Sequence, residues 1–378
     1  MPGLAGIAFG DVGSRVERVR ARLADEFSAR AMLVSSPANI RYLTGFTGAS
    51  SGLLLLPDRL VLVTDGRYRT QALHTVSAPH LSQHGVEVIV ASQRSDTIKR
   101  SVPKSARLAF ESNEVSVAEY ERLRAELTGI EFVPTDDVVL QARLVKDAGE
   151  VARIRAAGAI TDATVEDLVA AEPIGWSELK IAAFLLERMT AIGAERAAFE
   201  PMVATGKRSA LAHSRPGKAH LEENMVLLMD FGAEVDGYKA DITRTLWWGE
   251  LPNDLETAYA AVRQAYDAAV GMLAPGVAYA AVDDTTRSMF REYELEQFVI
   301  HPSGHNVGLE IHERPFLGQH HQGELATGNV VTIEPGVYIP DVGGIRLEDT
   351  FVLTDAGPVA LTTPTHSGRT DRRRVAFR

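Results

Sequence analysis

The chain has 378 residues, an apolar fraction of 45%, a charged fraction of 24%, a formal net charge of −11 and no cysteine. At about 150 residues per domain this length predicts two domains, and the apolar content excludes disorder over most of the chain. The acidic balance argues against nucleic acid as the main partner, no apolar run approaches a membrane span, the first residues lack the basic start of a secretory signal, and the lack of thiols removes disulfides and thiolate metal sites, all in keeping with a cytoplasmic protein.

In chain order, Val16, Val19, Leu23 and Phe27 recur at helical spacing and predict a helix over 16–27. Ala31–Val34 is a short apolar run stopped by a Ser-Ser-Pro-Ala-Asn turn signal. Residues 51–56 and 59–64 read as two strands joined through Pro57-Asp58. Residues 86–91 and 107–110 are further strands with helices between, so this part is an α/β domain of about 130 residues. The boundary falls near 134–138 and divides the chain into domains 1–138 and 139–378. A stretch rich in Ala, Glu and Arg then predicts one long helix over 142–171. Helices over 176–192, 254–273 and 279–293 follow, with apolar strands over 225–231, 240–246, 330–333 and 345–353. Helix runs beside antiparallel hairpins make this second domain α+β. The last ten residues carry five arginines and predict a solvated terminus.

Five side chains stand out in the second domain: Asp230, Asp241, His305, Glu334 and Glu348. Four are carboxylates in apolar strands, where a lone carboxylate is strongly unfavourable unless it is paired or bound to a metal. One Asp in a hairpin is ordinary turn chemistry, and one His among glycines is an ordinary loop residue. Four carboxylates and an imidazole together are not explained that way. Asp236-Gly237 predicts a two-residue type I′ hairpin. Val235 then faces Tyr238, and Asp241 lies opposite Gly232. Asp230, two residues from Gly232, shares that face, with the two carboxylate Cβ atoms about 5–7 Å apart. Gly232, having no side chain, is expected to leave room for a metal. Oxygen ligands with one imidazole suit Mn²⁺, and after it Co²⁺ or Zn²⁺; four carboxylates balance two divalent ions.

The order Asp, Asp, His, Glu, Glu, in the contexts LLMDFGAEVDGYKADITRT, HPSGHNVGLEIHERP, VVTIEPGVYI and GGIRLEDTFVL, resembles the pita-bread metallopeptidases. These are the Xaa-Pro dipeptidases (prolidases), aminopeptidases P and methionine aminopeptidases, and the likeness spans about residues 140–365. NIRYLTGFTGASSGLLLL and VTDGRYRTQA resemble the creatinase-type N-terminal domain of Xaa-Pro peptidases. The resemblance implies a dinuclear centre with all five residues as ligands. Asp241 and Glu348 bridge, Asp230 lies on one ion and His305 on the other. It further implies that His213, in ALAHSRP, and His312 contact substrate, that His301 shapes the proline side of the pocket, and that Glu334 shuttles a proton. Arg346, two positions before Glu348 on a strand, would orient a ligand carboxylate. The implied reaction is hydrolysis, by a homodimer, of the bond between an N-terminal residue and a following proline in short peptides. A methionine-aminopeptidase-like exopeptidase and a catalytically silent binding module of the same fold are the alternatives. HPSGHNVG departs from the HGxGHGxG pattern of the family, and Pro302 and Asn306 are expected to alter the pocket's shape.

Overall fold

The structure is a computed structural model and describes residues 10–49, 51–78, 81, 85–91, 93–363 and 368–370. The chain forms two compact units that divide between Arg143 and Leu144.

The first unit opens with α1 (Val12–Phe27). Asp11 caps it by accepting a hydrogen bond from the Ser14 N–H (3.1 Å), and Val12, Val16, Val19 and Leu23 form its buried stripe. Six strands follow: β1 (Ala31–Val34), β2 (Ser51–Leu55), β3 (Leu60–Thr64), β4 (Val86–Val90), β5 (Arg107–Glu111) and β6 (Glu131–Thr135). They form one mixed sheet in the order β4-β3-β2-β1-β5-β6. The turn at Pro57-Asp58 closes an antiparallel hairpin with Leu55 opposite Leu60. The pairs β3–β4 and β5–β6 are parallel and therefore need crossovers, which α3 (Arg69–Val76) and α5 (Val117–Glu126) supply; α2 (Pro37–Thr44) and α4 (Arg94–Ser101) complete the unit's helical layer. Leu33, Leu54, Val61, Val63, Leu108 and Phe110 belong to its core.

The helix expected over 142–171 is two helices. The first, α6 (Val138–Leu144), stops before Val145, which makes a β-bridge to Asn329. Its successor, α7 (Ala148–Ala170), starts from a capping box. Asp147 accepts from the Glu150 N–H (2.9 Å), and the Glu150 carboxylate accepts from the Asp147 N–H (3.0 Å).

Two helix-backed halves make up the second unit. In one, α7 and α8 (Glu178–Ile192) cover β7 (Arg196–Ala197), β8 (Met202–Thr205), β9 (Val226–Phe231), β10 (Ala233–Val235), β11 (Tyr238–Lys239) and β12 (Ile242–Trp247). Ile160, Leu185, Met229, Phe231 and Ile242 lie in the shared core. In the other, α9 (Asn253–Met272) and α10 (Tyr279–Glu292) share a core with Val331, Ile333, Val337, Ile345 and Phe351. Its strands are β13 (His305–Asn306), β14 (Glu313–Phe316), β15 (Val330–Ile333), β16 (Gly336–Ile339), β17 (Gly343–Arg346), β18 (Asp349–Thr354) and β19 (Gly357–Ala360). Close to the end, β20 (Gly368–Arg369) runs parallel to β12. The expected strand over 345–353 is two strands, because the backbone changes partner at Leu347-Glu348. β17 pairs with β16, while β18 pairs with β15. Most of the arginine-rich tail, 371–378, lies outside the described residues. Among the described residues no helix is long and apolar enough to cross a membrane.

Candidate metal centre

Two bent hairpins carry the four carboxylates. In the first, Asp236 (φ 48°) and Gly237 (φ 79°) form the primed turn, and Val235 faces Tyr238. The register continues unchanged into β9 and β12, where Phe231 faces Ile242 and Asp230 faces Thr243. Asp241 therefore falls opposite Gly232, on the face that also carries Asp230. Gly232 is required for a different reason from the one expected. A Cβ there would lie 1.8 Å from the Ala240 carbonyl oxygen, so the missing side chain lets two backbones approach and does not make space for an ion.

The second hairpin repeats the device. Ile333 faces Asp349 and Gly336 faces Arg346, so the interrupted stretch between them sets Glu334 opposite Glu348. Each Glu sits where its strand changes sheet. The Glu334 N–H donates to the Ser303 carbonyl (2.8 Å), and the Glu348 N–H donates to the Thr243 carbonyl (3.2 Å). The second bond ties one hairpin to the other.

His305 completes the group from β13. Its Nδ1–H donates to the Asn306 carbonyl (3.1 Å), which leaves the Nε2 lone pair facing Asp241 Oδ2 (3.4 Å) and Glu334 Oε1 (3.5 Å). Ligand atoms of Asp241, His305 and Glu348 all lie within 4.8 Å of one another, and all three residues are buried. Asp230 Oδ1 and Asp241 Oδ1 are buried without a hydrogen-bond donor. Burial raises all four carboxyls above the ordinary range; for Asp241 and Glu348 the neighbouring carboxylates add to it, driving both well up. Unpaired buried oxygens, crowded like charges and an imidazole lone pair aimed among them fit divalent cations, and they fit nothing else in the surrounding protein.

Arg346 is the buried guanidinium beside the carboxylates. Of these carboxylates it meets Asp230 directly, and Glu348, two positions along, only indirectly. Its Nη2 donates to Asp230 Oδ2, its Nη1 to the Tyr338 hydroxyl (2.6 Å), and its Nε to Thr243 Oγ1 (2.7 Å). Thr243 in turn donates to Glu348 Oε2 (2.7 Å), so Arg346 reaches Glu348 through a hydroxyl. The sequence reading overlooked Thr243 and Tyr338. The signal for Thr243 was alternation: it lies two residues after Asp241 and therefore on the ligand face.

His301 has both ring nitrogens engaged. Nδ1–H donates to the Pro302 carbonyl (2.8 Å), and Nε2 accepts from Tyr338 (2.8 Å). Burial and then Arg346 push its pKa down to about 4, so the ring is neutral. His312 stands edge-on to His305, with ring centroids 4.6 Å apart, and partial desolvation, His305 and His213 push it down to about 4 as well. His213 lines the same cavity, exposed and without a hydrogen bond. All five carboxylate and imidazole groups, with His213, His301, His312 and Arg346, line one cavity of about 540 Å³; Phe199, Pro302, Ile311 and Phe316 form apolar parts of its wall. Asn306 is not among the lining residues. Its side chain donates to the Pro315 carbonyl (2.8 Å), so only Pro302 of the two departures reaches the pocket.

The profile of metallopeptidase family M24 matches residues 152–355, the region that holds every one of these side chains. The chain belongs to metallopeptidase family M24. This metallopeptidase also carries a Creatinase/Prolidase N-terminal domain over residues 15–145. It is 30% identical to the Xaa-Pro dipeptidase of Pyrococcus furiosus over 92% of its own length and 97% of that protein. Its fold follows that of an Xaa-Pro dipeptidase from Bacillus anthracis (TM-score 0.87, 30% identity, 95% of this chain and 100% of that one). It also follows an X-Pro aminopeptidase from Thermotoga maritima (TM-score 0.83, 32% identity, 94% and 100%). The M24 chain is thus a hydrolase dependent on divalent metal, with a pita-bread catalytic domain that follows a creatinase-type domain in the sequence.

Proposed function

We propose that this metallopeptidase cleaves the peptide bond between an N-terminal residue and a following proline. Asp230, Asp241, His305, Glu334 and Glu348 would hold two divalent ions, Mn²⁺ in the first place. The observation that carries the reading is the set of buried, unpaired oxygens at Asp230 and Asp241 beside the free Nε2 of His305. When bound there, the cations supply the charge that polarises the scissile carbonyl and acidifies a water. The remaining work falls to the protein. Glu334 takes the proton from the water and passes it to the departing proline nitrogen. His213 and His312 both line the cavity with N–H groups uncommitted to any protein partner, and these donate to the carbonyl oxygen as charge develops on it. His301 has no free N–H; held by Tyr338, it walls the proline side together with Pro302 and Phe316. That apolar wall suits a pyrrolidine ring. Because the proline nitrogen carries no hydrogen, recognition must come from shape rather than from an amide donor.

Domains of 1–138 and 139–378, a cytoplasmic location in line with the lack of cysteine, and a homodimer are part of the same proposal, the last to be read by light scattering. The deciding experiment compares Ala-Pro, Ala-Pro-Ala and Ala-Ala as substrates with added Mn²⁺. Hydrolysis of the first or second far above the third is expected, and their ratio separates dipeptidase from aminopeptidase action. Equal rates on Ala-Pro and Ala-Ala would reject the proline reading.

A further inference from the structure

His213 has no side-chain hydrogen bond of its own, so its position depends entirely on the segment that carries it. That segment begins after β8, makes a single 3-10 turn over Gly206–Ala210, and has no further regular structure before residue 217. Such a stretch is mobile unless it is tied down elsewhere. Here the Gly344 N–H donates to Ser209 Oγ (2.8 Å) and Arg346 Nη1 to the Ala212 carbonyl (3.4 Å), and the rest of the tie is an ion pair remote from the metal ligands, between a buried carboxylate and a partly exposed guanidinium. Glu178, the first residue of α8, has no exposed side-chain surface. One of its oxygens accepts from the Thr205 N–H (2.8 Å) at the start of the segment, and the other accepts from the Gly217 N–H (2.7 Å) at its end. Arg208 Nε donates to both oxygens (3.1 and 3.0 Å). Arg208 Nη2 then reaches the two residues directly after His213, donating to Ser214 Oγ (3.1 Å) and to the Arg215 carbonyl (2.9 Å).

We infer that Glu178 and Arg208 are positioning residues for His213: a carboxylate that pins both ends of the segment and a guanidinium that pins its middle. The inference rests on the reading that His213 contacts substrate. The chemistry is specific. Two backbone N–H groups need a carboxylate with both oxygens available, and two acceptors beyond it need the planar fork of an arginine. Neither residue bonds to any of the five proposed ligands, so disturbing them should move His213 and leave the metals in place.

The test is a double-mutant cycle on metal-loaded enzyme with Ala-Pro as substrate. Arg208→Ala is expected to lower kcat by on the order of tenfold to a hundredfold, as for a displaced catalytic group, with two metals still bound. His213→Ala should be at least as slow. The double variant should be no slower than His213→Ala alone, because Arg208 acts only through that ring. Arg208→Lys, which keeps the charge and loses the fork, should fall between wild type and Arg208→Ala. The same cycle run with Glu178→Gln or Arg208→Lys serves if Arg208→Ala does not fold. Multiplying losses in the double variant, an unchanged kcat for Arg208→Ala, or loss of metal would each overturn the inference. A wild-type kcat in His213→Ala would overturn it too, whereas the proline reading stands or falls separately on the Ala-Pro to Ala-Ala ratio of the wild-type enzyme.

Discussion

Gly232→Ala is the sharpest perturbation the site offers, because one methyl group meets backbone. The added Cβ would lie 1.8 Å from the Ala240 carbonyl oxygen and 2.7 Å from its carbon. A carbon–oxygen contact needs about 3.3 Å, so the two arms of the hairpin must part by about 1.5 Å. Overpacking of this kind costs about 1–3 kcal/mol, and the variant should fold with a Tm lower by several degrees. The larger effect is on the metals. Asp230 and Asp241 flank the clash, and metal–ligand bonds tolerate only about 0.2 Å of error. Metal analysis after dialysis should therefore find fewer than two Mn²⁺ per chain, and kcat on Ala-Pro should fall by at least about 100-fold. Gly237→Ala is the control. It strains a positive φ at the hairpin tip, costing about 1–2 kcal/mol, and should keep both metals. If Gly232→Ala binds two Mn²⁺ and turns over normally, the close backbone approach does not set the spacing of the two carboxylates.

Three further outcomes are expected. Arg346→Met removes the guanidinium from Asp230 and should destabilise the metal-free protein by about 3–5 kcal/mol, and clearly less with saturating Mn²⁺; equal losses in paired urea titrations would contradict the charge balance drawn here. His312→Ala should lower kcat by about a hundredfold with two metals retained, whereas Glu334→Gln should lose metal as well as activity; metal content and kinetics on the two purified variants separate them. Burial alone would raise the Glu234 carboxyl, but the Arg196 ion pair and the hydrogen bond from Lys239 outweigh it and hold the group below its ordinary 4.5. With the folded value depressed, its stabilisation is present above pH 4.5 and is lost as pH falls through the lower folded value. The urea midpoint of Glu234→Gln should accordingly drop less than that of wild type between pH 6 and pH 3, both measured in chelator, and parallel curves would refute the assignment.

Local rules made the first hairpin legible before any coordinates. A two-residue Asp-Gly turn fixes the register, and the register fixes which side chains share a face, so Asp230 and Asp241 could be brought together from sequence. The second hairpin hid its bend. Residues 345–353 have apolar ends around a charged middle, Glu348-Asp349, and periodicity cannot show that such a run changes partner at Glu348. The break before α7 was readable, since Asp147 and Glu150 stand at capping-box spacing, but the Ala-rich run on either side concealed it. That Arg346 faces the site was readable from alternation, but which carboxylate it meets was not, because facing is a local property and partnership is not. The Glu178–Arg208 pair left no local trace, because its meaning depends on where α8 meets a segment well downstream.

The two bent hairpins also bear on how long the enzyme lasts. The proposed ligands come from separate stretches of chain between Asp230 and Glu348, and bonds such as Thr243 to Glu348 join strands far apart in sequence. Closing those loops is slow and entropically costly, and it must be complete before any ion can find all its partners. Cation contacts are thus expected to form after the folding barrier has been crossed. Interactions absent from the transition state leave the folding rate almost unchanged and act on the reverse step. Mn²⁺ should therefore do little to help a new chain fold, while slowing the unfolding of a finished one, so that metal supply governs the half-life of the enzyme as well as its turnover.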